Sequence, residues 1–145
     1  MKLPDTNLWL ALSLSGHTHH AAAVAWLAKE NEPDSLLFCR STQQSLLRLL
    51  TTVGVMSLYG LPPLSNAAAW AVYDAFIADD RIQFQSEPSG LEKVWKKFAA
   101  RRTTSPKLWM DAYLAAFAIS SGAQLVTTDK AFTQFAGLDV KVLTA

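Results

Sequence analysis

Only one cysteine, Cys39, occurs in this 145-residue chain. No internal disulfide can form, which fits a reducing compartment, and with no base beside it Cys39 is expected to be a small core residue. No apolar run reaches the roughly 18 residues that a membrane helix needs, so no membrane partner is expected. The opening Met-Lys-Leu-Pro-Asp lacks the apolar core and small-residue cleavage site of a signal peptide, and the protein is expected to be cytoplasmic. Glycine and proline number six each, and no repeat, low-complexity run or linker breaks the sequence. Charge is nearly balanced, 13 Lys and Arg against 12 Asp and Glu, so composition alone does not announce a nucleic-acid binder. A zinc pattern is missing too. His17, His19 and His20 crowd together, but without the spacing on one helix face or the third ligand that zinc requires, and they read as a polar helix entrance.

What is present is a large apolar complement. Half the residues are hydrophobic and five are tryptophan, which excludes disorder and is enough for one full core, so residues 1–145 are expected to form a single domain. Short apolar strands are expected at Lys2–Pro4, Ser35–Cys39, Arg81–Gln85, Gln124–Thr127 and Val140–Val142. Helices are expected from Leu8 to Gly16, from Ala21 to Leu27, from Arg40 to Thr52 (capped by Ser41 or Thr42), from Leu64 to Asp79 (capped by Ser65), from Leu91 to Ala100 (capped by Ser89) and from Leu108 to Gly122. Gly54 to Pro63 reads as a loop. Strands alternating with helices indicate an α/β domain whose mostly parallel sheet is covered on both faces. Trp9, Trp26, Trp70 and Trp95 lie in apolar helical patterns and are expected in the core or an interface.

Two aspartates stand out in the last third of the chain. From Leu108 to Ile119 everything except Asp111 is apolar or small, which predicts a helix buried on nearly every side. A carboxylate there must pair, neutralise or bind a metal. Asp5 and Asp129 each follow a strand, at the sheet edge where parallel α/β folds gather their ligands. Taken singly, either could be a helix cap. If the helix carrying Asp111 runs antiparallel to the strand after it, all three carboxylates reach one edge. Ionised together they call for a cation, and an all-oxygen set favours Mg²⁺ or Mn²⁺. The matching chemistry is phosphodiester hydrolysis. Six of the thirteen basic residues, Lys93, Lys96, Lys97, Arg101, Arg102 and Lys107, fall in one short stretch without an acid. Beside such a site they suit a phosphate backbone.

Four segments carry a resemblance: Leu3 to Leu12 (LPDTNLWLAL), Thr42 to Thr51 (TQQSLLRLLT), Leu108 to Ala118 (LWMDAYLAAFA) and Leu125 to Phe132 (LVTTDKAF). In this order they resemble the blocks of PIN-domain ribonucleases, most closely the VapC type of toxin from bacterial toxin-antitoxin pairs. The resemblance spans essentially the whole chain. It implies a three-layer α/β/α fold, an Mg²⁺-dependent endoribonuclease, an RNA substrate, a cognate antitoxin and a homodimer. By the same resemblance Asp5, Asp111 and Asp129 match the metal-binding acids. Asn7 and Thr127 or Thr128 match polar residues that orient the acids or the scissile phosphate, with Thr128 taken as the substrate-binding candidate beside Arg48, Lys97, Arg101 and Arg102. Where many members carry glutamate this chain has Gln43, or Gln44 in a register shifted by one. An amide oxygen can support a cation but brings no charge, so Mg²⁺ affinity should fall. An alternative function follows, a weak or inactive PIN domain that binds RNA or protein without cutting. A phosphatase using Asp5 as nucleophile is a poorer match, because Asp5-Thr6-Asn7 has no second aspartate two residues on.

Overall fold

The computed structural model describes residues 1–145. Its elements run β1 (Lys2–Pro4), α1 (Thr6–Ser13), α2 (His20–Leu27), β2 (Leu36–Phe38), α3 (Arg40–Leu50), α4 (Val53–Met56), α5 (Asn66–Ile77), β3 (Ile82–Phe84), α6 (Leu91–Ala99), α7 (Leu108–Ser121), β4 (Gln124–Thr127) and β5 (Val140–Val142). Single 3₁₀ turns cover Ser57–Tyr59 and Lys130–Gln134. All five strands pair in parallel in one sheet of order β3-β2-β1-β4-β5.

Alternation along the strands builds two cores. Leu3, Leu37 and Leu125 point to the layer of α6 and α7, whereas Leu36, Phe38 and Val126 point to the layer of α1, α2, α3 and α5. The fold is therefore α/β/α, as expected from the resemblance. Trp9 lies stacked on Phe38 at a ring distance of 3.9 Å in the second core, and Cys39 is buried in the first.

Several boundaries differ from the sequence expectation, each for a local reason. Helix α1 stops before Leu14, whose N–H bonds to the Leu10 carbonyl, and Gly16 lies beyond it. Cys39 caps α3, with the Thr42 hydroxyl accepting from the Cys39 N–H. Gly90, in the left-handed region at φ 80°, precedes α6 in place of Ser89. The stretch from Gly54 to Pro63 is not all loop, because α4 and a 3₁₀ turn occupy its first half. Ser65 does cap α5, accepting from the Ala68 N–H. Gly122, at φ 69°, closes α7 in a conformation that costs glycine little. Trp70 is 48 % exposed rather than core.

Helix α7 corrects the largest expectation. Its C-terminal part, Ala112 and Leu114 to Ala118, is fully buried, but Trp109 and Met110 are more than half or half exposed, and Asp111 is only partly buried. Met110 and Asp111 line a cavity, so apolar composition in the first turn of α7 reflects a cleft wall as well as a core.

Candidate metal centre

Strand β1 sits in the middle of the sheet. The chain leaves it toward β2 and β3, then returns to lay β4 against its other side. The point where strand order reverses is where open parallel sheets leave a crevice at the carboxyl ends of their strands. Asp5 follows β1 and Asp129 follows β4, so the two carboxylates flank that crevice.

Asp5 is 3 % exposed. Its Oδ1 accepts from the Leu8 N–H at 2.8 Å, capping α1, and its Oδ2 accepts from the Thr127 hydroxyl at 2.5 Å. Burial pushes its pKa up to about 6 against those two bonds, and Asp129 and Asp111 push it further the same way. Thr127 is itself fully buried and accepts from the Asp129 N–H at 2.9 Å. Asp129 Oδ1 caps the 3₁₀ turn through the Ala131 N–H, and Oδ2 accepts from Lys107 Nζ at 3.3 Å. The Ala131 N–H and Lys107 hold its pKa below the ordinary carboxylate value. Asp111 is shifted upward by burial, with Lys107 opposing and Asp129 adding to the shift. Cap and ligand are thus compatible roles for Asp5 and Asp129.

The three aspartates line one cavity of about 220 Å³, together with Asn7, Arg48 and Lys107. As they stand they do not form a ready cluster of three ligating acids. Asp129 is engaged instead by Lys107. The donor set still fits a hard divalent cation. All the acids are oxygen donors, Asp5 uses only one lone pair on each oxygen, and the cationic partner now present, Lys107, has a side chain 76 % exposed that can swing away.

The other sequence candidates divide. Gln43 is buried but does not line the cavity; its Oε1 accepts from Arg40 Nη1 at 2.6 Å. Gln44 is exposed and faces a separate pocket. Thr128 gives way to Thr127, because the last β4 side chain, not the next one, turns toward Asp5. Lys97 and Arg102 are exposed and lie outside the cavity. Arg101 lines a neighbouring depression with Pro106 and Trp109, which bracket Lys107 in sequence. Of the basic stretch from Lys93 to Lys107, Lys107 alone lines the cavity, where it pairs with Asp129. Thr6, opening α1, and Ser41 and Ser45, in the first two turns of α3, also line the cavity, and the sequence had not singled them out for it. The serines sit four apart, one helical turn, on the α3 face that also carries Arg48, and that spacing was the available signal.

A family model described as PIN domain matches residues 2–138. The chain is 58 % identical over 144 residues to Ribonuclease VapC41 of Mycobacterium tuberculosis, covering 99 % of each. In fold it resembles VapC20 of Mycobacterium tuberculosis, described as a Sarcin-Ricin loop cleaving toxin, with a TM-score of 0.68 at 20 % identity, over 99 % of this chain and all of the other. It also resembles a chain of VapBC2 from Rickettsia felis bound to a DNA fragment from their promoter, with a TM-score of 0.67 at 14 % identity, over 99 % of this chain and 98 % of the other. Strand order, the aspartates at its reversal and these likenesses agree, and the chain belongs to the PIN-domain family, among its VapC members.

Proposed function

We propose that this protein is an Mg²⁺-dependent endoribonuclease that acts in the cytoplasm as the toxin of a toxin-antitoxin pair and is restrained by a cognate antitoxin. The observation that carries this reading is the meeting of Asp5, Asp111 and Asp129 in one cavity at the sheet's reversal point, with Asp5 buried and pushed up to about 6. The 58 % identity to a protein named a ribonuclease supports it, as does the likeness to chains of VapBC complexes for the antitoxin.

Asp5, Asp111 and Asp129 hold the cation, Mg²⁺ or Mn²⁺. When bound, the ion supplies Lewis-acid chemistry, making water a better nucleophile at neutral pH and offsetting charge on the phosphate. Thr127 orients Asp5 by donating to Oδ2. Arg48 and Lys107, both lining the cavity, hold the phosphate by charge, and Asn7 supplies an amide for hydrogen bonding. Arg101, Lys97 and Arg102 attract the RNA backbone outside the cavity. Gln43 takes no direct part in this reading; it fixes the Arg40 guanidinium. Exposed Val53, Leu58 and Trp70 offer an apolar surface for a homodimer.

The engagement of Gln43 by Arg40 also favours the alternative of an RNA- or protein-binding module with little activity. One experiment decides. Purified protein is mixed with RNA and Mg²⁺, with EDTA, and as the Asp111→Asn variant. Cleavage lost in EDTA and reduced more than a hundredfold in the variant is expected. Equal cleavage in all three would assign the activity elsewhere, and none in any would leave the binding module.

A further inference from the structure

A second pocket, of about 380 Å³, opens beside the metal cavity and shares Ser41, Ser45 and Met110 with it. Its size falls within the range of about 300–1,000 Å³ typical of small-molecule sites. One wall is α3, with Arg40 and Gln44; the opposite wall is α6 and α7, with Trp95, Tyr113 and Phe117; Glu87, from the segment after β3, closes the end.

The walls are fixed in advance. Trp95 Nε1 donates to the Trp109 carbonyl at 2.9 Å, and its ring meets Tyr113 edge-on at 5.5 Å. The Tyr113 hydroxyl donates to Glu87 Oε1 at 2.8 Å. Arg40 is held over the Phe84 ring at 4.5 Å and by Gln43. Arg40 and Glu87 nevertheless form no ion pair, the three pairs of the protein lying elsewhere. A guanidinium and a carboxylate thus line one aromatic-walled pocket with space left between them. A ligand bridging them must donate to the carboxylate and accept from the guanidinium, and a flat one can also lie against the aromatic side chains.

We propose that this pocket takes a nucleobase next to the scissile phosphate and selects guanine. The inference rests on the ribonuclease reading, because continuity with the metal cavity is what brings a nucleotide there. Guanine offers N1–H and the N2 amino group as adjacent donors for Glu87, and O6 and N7 as acceptors for Arg40, the pairing that arginine makes with guanine most often. Bases splayed from single-stranded RNA are held by aromatic side chains while their edges are read in this way. Adenine and uracil present no two adjacent donors to a carboxylate. The serines shared by the two cavities lie where the backbone passes from base to phosphate.

The test uses uridine-rich single-stranded RNAs carrying one guanosine, inosine, adenosine or cytidine at successive positions. Cleavage is expected at a fixed offset from guanosine and about tenfold more slowly with inosine, which lacks the N2 amino group. Glu87→Gln, which keeps an acceptor for Tyr113, should narrow that ratio to about twofold, with native near-ultraviolet circular dichroism confirming the fold. Cut sites that ignore base identity, or a ratio unchanged in the variant, overturn the proposal. The same RNAs are also bound in EDTA and followed by fluorescence anisotropy. If nothing is cleaved with Mg²⁺ but guanosine preference in binding is lost in Glu87→Gln, the nuclease reading fails and the base pocket stands. If RNA binding is indifferent to the substitution while affinity for purified antitoxin falls, the pocket seats protein and the proposal is overturned.

Discussion

The Thr127 hydroxyl donates to Asp5 Oδ2 at 2.5 Å across 122 residues of sequence, and the Thr127 Oγ1 accepts from the Asp129 N–H. One buried hydroxyl therefore ties the acid after β1 to the acid after β4. Its removal should be felt by both. Thr127→Val keeps the shape but strips a bond from Asp5 and leaves the Asp129 N–H without a partner, at a cost of about 1–3 kcal/mol in stability. Loss of such a supporting bond typically lowers metal affinity by about 10–100-fold. Mg²⁺ titration by calorimetry should show that loss for Thr127→Val and recovery for Thr127→Ser. An unchanged affinity in the valine variant would mean that Asp5 is oriented by its Leu8 bond alone.

Proton linkage supplies a second prediction. Burial raises the Asp5 pKa from 3.8 to about 6. Between those values the native state binds more protons than the unfolded chain, so in EDTA the contribution of Asp5 to stability falls as pH rises through this window. About two units correspond to about 3 kcal/mol. Asp79, which its hydrogen bonds to Arg81 lower to about 2, changes stability only below the window. His17, lowered by burial, acts in the opposite sense as pH rises toward 6.5. Subtracting the melting curves of Asp5→Asn isolates the effect. The difference between variant and native protein should grow in favour of the variant from pH 4.5 to 7, and Mg²⁺, which binds the ionised acid, should reduce it. A difference flat with pH would show that Asp5 ionises normally.

Much of this site was legible in the sequence because strand ends and isolated acids are local signals. Asp5 and Asp129 could be placed at one edge from strand-helix alternation, and Asp111 on the condition that its helix runs antiparallel to the strand after it; the structure does line one cavity with all three. The contribution of Thr127 was not separable from that of Thr128, since two adjacent threonines differ only in which way the strand end turns. The exposure of Trp109 and Met110 was hidden for another reason. Apolar periodicity reports that a face avoids charge, and a cleft wall satisfies that as well as a core does. Gln43 came into consideration only through the resemblance, as the residue standing where many PIN-domain ribonucleases carry glutamate, and its partner, Arg40, could be identified only from side-chain geometry.

Restoring a glutamate at that position tests the partner. In Gln43→Glu the new carboxylate faces the Arg40 guanidinium now 2.6 Å from the amide oxygen, and pairs with it rather than with a cation. The Mg²⁺ concentration for half-maximal cleavage should stay within about twofold of the native value, while the melting temperature rises slightly. A tenfold drop in that concentration would mean that the side chain turns into the cavity once it is charged.

Lys107 holds the place of a cation. Its ammonium lies 3.3 Å from Asp129 Oδ2, and Asp129 and Asp111 together raise its pKa. Because its side chain is 76 % exposed, water and salt screen the pair, and it contributes little to folding. Its influence is on occupancy: a positive charge lining the cavity opposes a divalent ion and attracts a phosphate. Lys107→Gln should therefore bind Mg²⁺ a few-fold more tightly in the absence of RNA. It should bind RNA more weakly, with the slope of log affinity against log salt reduced by about one, as expected for one lost phosphate contact. Melting temperature should be unchanged. If metal and RNA affinity both fell, Lys107 would instead be holding Asp129 in its ligating position, and the ion pair would be part of the loaded site.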